Sequence, residues 1–128
     1  MQTVKVFIVD DSAFIRARLI TMLCSFEEIE IVGQTEDALI ASESIRKLKP
    51  DVVILDVRLK GGSGIDVLQS IKDHKLAPIT IMLTNYPHPQ YRERVRSAGA
   101  DFFFDKSSEF EKIIDVVKQL TQSQRCVA

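Results

Sequence analysis

The chain has almost no net charge, no long apolar run and very little cysteine. Its formal charge is −1 and its isoelectric point is about 6.1, so charge alone draws it neither to nucleic acid nor to anionic lipid. No apolar run approaches the length of a membrane span. The N-terminal apolar stretch is too short for a signal peptide and is followed by acidic residues. We therefore expect no direct nucleic-acid binding and no membrane location.

The spacing of the two cysteines, Cys24 and Cys126, is not that of metal ligands, and we expect no export signal in the chain. We therefore predict that both are free thiols in a reducing cytoplasm. Internal repeats, low-complexity tracts and linkers are also absent from the sequence. With 128 residues, of which 45% are hydrophobic and 27% charged, the chain has the composition of one globular domain. We assign residues 1–122 to this domain and residues 123–128 to a short C-terminal tail, and we expect no output domain.

Apolar stretches typical of buried strands alternate with segments of helical spacing. The strand-like stretches are residues 4–9, 29–32, 51–56, 79–84 and 101–106. Apolar residues at helical spacing follow each of them, and Ser108 with Glu111 predicts a capping box for the last helix. Strands that are apolar throughout and separated by helices predict an α/β domain, with a parallel five-stranded sheet covered by helices on both faces.

Polar side chains suited to cation and phosphate chemistry stand at the ends of four predicted strands. They are Asp10 and Asp11, Asp56, Thr84, and Lys106. Because ligands bind beyond the carboxyl ends of parallel strands, these side chains should converge if the strands are neighbours. Three clustered carboxylates require a cation, and oxygen ligands favour Mg²⁺ over zinc or iron. Thr84 and Lys106 would bind phosphoryl oxygens, and one carboxylate, acting as a nucleophile, would become an acyl phosphate.

Each of these residues has a simpler interpretation when it is taken alone. Asp11 followed by Ser12 is typical of a helix cap, Thr84 is a favoured strand residue, and an isolated lysine is usually a surface charge. The Gly-Gly-Ser-Gly stretch at 61–64 lacks the Gly-Lys-Ser/Thr of a Walker loop and is interpreted as a turn. The three phenylalanines at 102–104 are mostly core residues, and strand alternation places Phe103 on the opposite face from Phe102 and Phe104. The joint placement at strand ends, rather than any single residue, indicates a site.

With these motifs, the chain resembles the response-regulator receiver domains of two-component signalling, which have the CheY-like, flavodoxin-like fold. The resemblance covers Val4 to about Leu120. It is carried by the element order and by the motifs VDD (9–11), ILDVRLKGGSG (54–64), MLT (82–84) and AGADFFFDK (98–106). It implies a single (βα)5 doubly wound parallel sheet in the strand order 2-1-3-4-5. In this order the ends of the first and third strands lie side by side.

The resemblance also implies a chemical role for four of the site residues. Asp56 would be the phosphoacceptor, and Lys106 would bind the phosphoryl oxygens. Thr84 would be the switch hydroxyl that moves toward the phosphoryl group. Phe103 would be the aromatic residue that changes rotamer when Thr84 moves.

A metal site is implied in the same way. Mg²⁺, with Mn²⁺ as a possible substitute, would be bound by the side chains of Asp11 and Asp56. The backbone carbonyl of Arg58 would be a further ligand, and Asp10 would bind through water.

The chain departs from the usual family pattern at several positions near the site. Asn85 stands where a small residue is common, and the bulky Tyr86 follows it. We predict that Arg58, Asn85 and Tyr86 tune the lifetime of the acyl phosphate by shaping water access. Ser107 stands where the family usually has proline, so the geometry of that loop is not implied by the resemblance.

The implied function is a phosphorylation-dependent signalling switch, not an enzyme. A histidine kinase or phosphotransfer protein would supply the phosphoryl group. The surface of helix 4, strand 5 and helix 5, called here the switch surface, would then control binding of a downstream protein or homodimerisation. Two alternatives stay open, a receiver fragment of a longer DNA-binding response regulator and a phospho-independent interaction module. A phosphatase of the haloacid dehalogenase type is disfavoured, because its second aspartate would stand where this chain has Arg58.

Overall fold

Five parallel strands form one sheet, and helices connect them in sequence. The computed structural model describes residues 3–85 and 89–126, with side chains as far as Thr121. Within these residues the elements are β1 (Val4–Val9), α1 (Ala13–Leu23), β2 (Ile29–Thr35), α2 (Ala38–Leu48), β3 (Val52–Asp56), β4 (Arg58–Leu59), β5 (Gly62–Ser63), α3 (Gly64–Asp73), β6 (Ile79–Thr84), α4 (Pro89–Ser97), β7 (Phe102–Asp105) and α5 (Phe110–Cys126).

The large sheet has the order β2-β1-β3-β6-β7, and each neighbouring pair is parallel. These are the five main strands in the predicted order 2-1-3-4-5, so the predicted doubly wound fold is confirmed. The switch surface is therefore formed by α4, β7 and α5. The connection after β1 leads to β2 on one side of it, and the connection after β2 leads to β3 on the other side. The carboxyl ends of β1 and β3 therefore form the topological switch point.

Two apolar clusters cover the two faces of the sheet. On one face, α1 and α5 contribute Leu19, Leu23, Ile113 and Val117 to the buried core. On the other face, α2, α3 and α4 pack through their own apolar stripes, and the stripe of α4 contains a single buried residue, Val95. Strand residues point alternately into the two clusters, which explains why β1 and β3 are apolar throughout. None of the described helices has the length and apolarity that crossing a bilayer requires.

Strand β2 is longer than the sequence pattern predicts. The prediction ended at Gly33, but the strand runs on to Thr35 through a bulge that skips Val32 in the pairing with β1. A Cβ atom at position 33 would lie 2.8 Å from the ring of Phe7, so glycine makes room for that side chain. The prediction that Gly33 ends the strand was therefore wrong, because this glycine is required by a close contact with the neighbouring strand β1.

The segment after β3 and the start of α5 also differ from prediction. The stretch interpreted as a turn contains a small antiparallel hairpin, in which Arg58 pairs with Ser63. The predicted capping box of Ser108 and Glu111 is wrong, because α5 begins only at Phe110. Both Ser107 and Ser108 instead donate hydrogen bonds to the carboxylate of Asp105. At its other end α5 continues to residue 126, into the segment 123–128 that we predicted as a tail.

Candidate functional site

The carboxyl ends of four neighbouring strands bring the predicted polar residues to one edge of the sheet. Asp10 and Asp11 follow β1, and Asp56 is the last residue of β3. Thr84 ends β6, and its backbone carbonyl accepts a 2.9 Å hydrogen bond from the amide of Lys106 beyond β7. The parallel pairing thus assembles residues from distant parts of the sequence, as the strand-end pattern predicts.

Three carboxylates form the centre of this site. Oxygen atoms of Asp10, Asp11 and Asp56 all lie within 4.8 Å of one another. Asp10 and Asp56 are only 1% and 5% exposed, whereas Asp11 is exposed. The cluster is therefore buried on the sheet side and open to solvent beside Asp11, where a small ligand has access.

Lys106 joins the two buried carboxylates. Its Nζ atom lies 2.7 Å from Oδ2 of Asp10 and 2.9 Å from Oδ2 of Asp56. Burial disfavours the ammonium form, but the close contacts and charges of the two carboxylates outweigh burial and raise the pKa of Lys106. Lys106 therefore stays charged at neutral pH, and it contacts Asp56 directly.

Burial dominates the electrostatics of the two inner aspartates. Loss of solvent raises the pKa of Asp56 to about 6, although the hydrogen bond from Lys106 works in the opposite direction. The pKa of Asp10 is raised for the same reason, against the close contact with the Lys106 ammonium and the hydrogen bond from the amide of Ser12. The cluster contains three carboxyl groups and only one ammonium in contact with them.

The donor set fits a hard divalent cation. Among the residues that the structure describes, the site offers carboxylate oxygens and no nitrogen or sulfur ligand, which suits Mg²⁺ or Mn²⁺. Oδ2 of Asp10 is buried and, among the described residues, has no partner that meets hydrogen-bond geometry, despite its close charge contact with Lys106. This oxygen can accept a hydrogen bond from a metal-bound water. The residues present thus fit the predicted ion.

Two of the three residues predicted to tune the lifetime of the acyl phosphate belong to the described residues. Arg58 is exposed two residues after Asp56, and its amide is 3.5 Å from Oδ1 of Asp56, a long contact. Asn85 is exposed directly after β6. Tyr86 lies outside the described residues. The tuning roles of all three stay predictions.

Thr84 and Phe103 occupy positions that suit the predicted switch. Thr84 is 2% exposed, and β6 pairs with β7 so that Met82 lies opposite Phe103. Phe103 is half-buried against the α4 side of the sheet, and the guanidinium of Arg92 lies 4.9 Å from its ring centroid. Phe102 is 37% exposed and stacks on Phe104, whose side chain packs against the opposite cluster, so the predicted alternation is confirmed.

Sequence reasoning missed Gly64 as part of the site. A Cβ atom at this position would lie 2.1 Å from the carbonyl oxygen of Asp56 and 2.9 Å from the side chain of Met82. The amide of Gly64 also donates a 2.8 Å hydrogen bond to Val57. The first residue of α3 thus fixes the backbone on which Asp56 stands. The glycine was visible in the sequence, but only the contact between α3 and β3 reveals its reason.

Comparison with known protein families identifies the family of this chain. Residues 6–118 match the response regulator receiver domain family. The chain belongs to this family. Receiver domains are signalling modules of two-component systems, bind Mg²⁺ at an acidic pocket, and interact with histidine kinases and phosphotransfer proteins.

Two relatives of the chain are longer proteins that match it over only part of their own length. Response regulator GacA of Pseudomonas aeruginosa is 30% identical over 129 residues, which cover 98% of this chain and 58% of GacA. Protein-glutamate methylesterase/protein-glutamine glutaminase 1 of Carboxydothermus hydrogenoformans is 34% identical over 121 residues, which cover 93% of this chain and 35% of that protein. The response regulator domain of Thermotoga maritima CheB has a TM-score of 0.82 at 26% identity, with 94% of this chain and 98% of that chain covered.

Proposed function

We propose that the chain is a phosphorylation-dependent signalling switch with Asp56 as its phosphoacceptor. The observation that carries this proposal is the arrangement of Lys106, whose ammonium contacts Asp56 inside a cluster of three carboxyl groups. A phosphoryl group brought to Asp56 would meet the ammonium directly. A cation on the open side would complete the neutralisation of charge that phosphoryl transfer requires.

The transfer step uses the ionised Asp56 carboxylate as nucleophile. One of its oxygens attacks the phosphorus of a phosphohistidine on a histidine kinase or phosphotransfer protein. The new oxygen–phosphorus bond forms as the phosphorus–nitrogen bond breaks, and the departing imidazole keeps the electron pair of that bond. Lys106 binds the phosphoryl oxygens during this exchange. Later attack by water returns Asp56 and releases inorganic phosphate, so the domain switches without being an enzyme for an external substrate.

Metal binding is the second part of the proposal. The side chains of Asp11 and Asp56 and the carbonyl of Arg58 would hold Mg²⁺ or Mn²⁺, with Asp10 acting through water. When bound, the ion supplies positive charge to the carboxylates and to the phosphoryl oxygens. Arg58, Asn85 and Tyr86 would then determine how easily water reaches the acyl phosphate.

The switch itself connects Asp56 to the switch surface on α4, β7 and α5. Phosphorylation replaces a carboxylate with a larger and more anionic group, toward which the hydroxyl of Thr84 would move. Phe103 would then turn inward into the space that Thr84 leaves, away from the guanidinium of Arg92. Such a shift between two existing conformations would change the affinity of the switch surface for a downstream protein or for a second copy of the chain. The protein would perform this switch in the cytoplasm.

Intact mass after incubation with acetyl phosphate tests the chemistry. We expect the wild type to gain one phosphoryl group only when Mg²⁺ is present, and Asp56→Asn to gain none. Asp115→Asn is the matched control, because it removes one carboxylate from an exposed position on α5 and should leave the gain unchanged. A phosphoryl group on Asp56→Asn would overturn the assignment of the acceptor.

Absence of any gain would lead to a second test with beryllofluoride and Mg²⁺. If neither reagent changes the wild-type protein, the alternative of a phospho-independent interaction module replaces the proposed switch. A change with beryllofluoride alone would retain the switch and restrict its donors to phosphorylated proteins.

The receiver part of a longer DNA-binding response regulator is the second candidate. It is favoured by the length of GacA, of which this chain covers 58%. The mass of the protein isolated from its own cells decides between the two. A mass of 14.5 kDa supports a receiver that acts alone, and a larger mass supports the longer regulator.

A further inference from the structure

The turn that carries Asp10 and Asp11 is held by three hydrogen bonds to Asp10. The amide of Asp10 donates to the carbonyl of Thr35 at 3.0 Å. Its Oδ1 accepts from the amide of Ser12 at 2.8 Å, and its backbone carbonyl accepts from Nη1 of Arg16. The first two are contacts with the main chain. The third depends on one side chain of α1.

Arg16 is fixed at a second point on the other side. Its Nε donates to Oε1 of Gln34 at 2.9 Å, and Gln34 belongs to β2, which pairs with β1. One half-buried guanidinium thus connects α1, the acidic turn and an edge strand. The planar guanidinium provides several donors in fixed directions, whereas a lysine ammonium at this position could not reach both acceptors with the same geometry.

Asp11 depends on its backbone for its direction. Its carboxylate is exposed, and among the described residues none donates a side-chain or backbone hydrogen bond to it. The carboxylate nevertheless lies within 4.8 Å of oxygens from both Asp10 and Asp56. The carbonyl that Arg16 binds belongs to the peptide unit between Asp10 and Asp11. Rotation of this unit would turn the Asp11 side chain away from the cluster.

We propose that Arg16 is a positioning residue that aims the Asp11 carboxylate at the metal site by fixing the Asp10–Asp11 peptide. This inference rests on the proposed function, since it requires that Asp11 binds Mg²⁺. A purely structural arginine would change stability alone. A positioning residue changes Mg²⁺ affinity as well, because the free protein then has to reorganise the turn before the ion can bind.

Titration calorimetry with Mg²⁺ tests the proposal on the unphosphorylated protein, with urea unfolding in metal-free buffer as the parallel measurement. We expect Arg16→Met to raise the dissociation constant of Mg²⁺ by about tenfold or more. Arg16→Lys should recover only part of this loss. Arg18→Met is the matched control, because Arg18 lies on the same helix but stacks on the ring of Phe110 and should leave the dissociation constant within about twofold.

Gln34→Ala provides a milder variant in case the Arg16 variants fold poorly. It removes one partner of the guanidinium and leaves the Asp10 carbonyl contact, so we expect a smaller increase of the dissociation constant in the same direction. Amide chemical shifts of Asp11 and Ser12 in metal-free protein should change in Arg16→Met and stay unchanged in Arg18→Met.

Two results would overturn the proposal, and they are distinguishable. Wild-type affinity for Mg²⁺ in Arg16→Met and in Gln34→Ala would show that Arg16 only stabilises the fold, and the proposed function would stand. Failure of the wild type itself to bind Mg²⁺ would remove the ligand that Asp11 is said to bind. That result would contradict the proposed metal site together with the role of Arg16.

Discussion

Asp56 combines burial with negative charge, and this combination lowers the stability of the folded protein. Its pKa is raised from 3.8 to about 6, mainly by loss of solvent. A carboxyl whose pKa is raised on folding binds its proton more tightly in the folded state. Its contribution to stability is therefore complete below about pH 4 and is lost as the pH rises through about 6. The same unfavourable charge is what a bound metal ion would relieve.

Asp56→Asn should consequently be more stable than the wild type in metal-free buffer at pH 7. We expect a gain of about 1 to 3 kcal/mol in the free energy of unfolding, because an amide keeps an acceptor for Lys106 without the buried charge. Urea unfolding from pH 4 to pH 7.5 measures this gain, which should shrink toward pH 4. The exposed Asp115→Asn should change stability by less than about 0.5 kcal/mol. Lower stability of Asp56→Asn at pH 7 would contradict this account of the electrostatics.

Gly64 shows how one residue without a side chain controls the acceptor. In Gly64→Ala the new methyl group would overlap the Asp56 carbonyl, so β3 and α3 have to separate. We expect a loss of about 1 to 3 kcal/mol in stability and a slower phosphoryl uptake from acetyl phosphate, by about tenfold.

Gly33→Ala is the control for this variant. Its methyl group would press on the ring of Phe7 in β1 and not on the backbone of Asp56, so stability should fall while phosphoryl uptake stays near the wild-type rate. Equal rates of phosphoryl uptake in Gly64→Ala and Gly33→Ala would show that the close approach of Gly64 to Asp56 does not affect phosphoryl transfer.

Helix α4 is the element least anchored to the core among the helices with fully described side chains on its side of the sheet. Val95 is its only buried residue, whereas α2 has three and α3 has four. A helix with so little buried area opens and repacks at low cost, which suits an element of the switch surface.

Hydrogen exchange measures this difference directly. Amides of residues 93–97 in α4 should exchange at least about tenfold faster than amides of residues 68–73 in α3, in protein without phosphoryl donor. Two-dimensional spectra recorded during exchange resolve the two groups. Equal protection of α3 and α4 would argue that the switch surface is rigid and that its repacking is not built into α4.

At the level of elements, the sequence pattern predicts what depends on local periodicity and fails where a distant contact decides. The five main strands and the apolar spacing of the helices that follow them were predictable, because each signal lies within one segment. The extension of β2 depends on Phe7, and the late start of α5 depends on the carboxylate of Asp105. The two-residue strands β4 and β5 are too short to produce a pattern.

For the whole molecule, the site follows from the fold by a simple rule. Parallel strands place their carboxyl ends at one edge, so Asp10, Asp56 and Lys106 meet although 46 and 50 residues separate consecutive members of the set. The polar strand ends were predictable from sequence. Strand order came only from the resemblance to receiver domains. The supporting residues Gly64 and Arg16 were not predictable, since their partners belong to other elements.

The central claim is that phosphorylation of Asp56 changes the switch surface through Thr84. The most direct measurement compares amide spectra of wild type and Thr84→Ala, each with Mg²⁺ alone and with Mg²⁺ plus acetyl phosphate. In the wild type we predict chemical-shift changes that extend from Asp56 through Phe103 to α4 and α5. In Thr84→Ala the changes should stop near Asp56, although intact mass shows the same phosphoryl gain. Changes that stay local in the phosphorylated wild type, or that spread equally in Thr84→Ala, would contradict the claim.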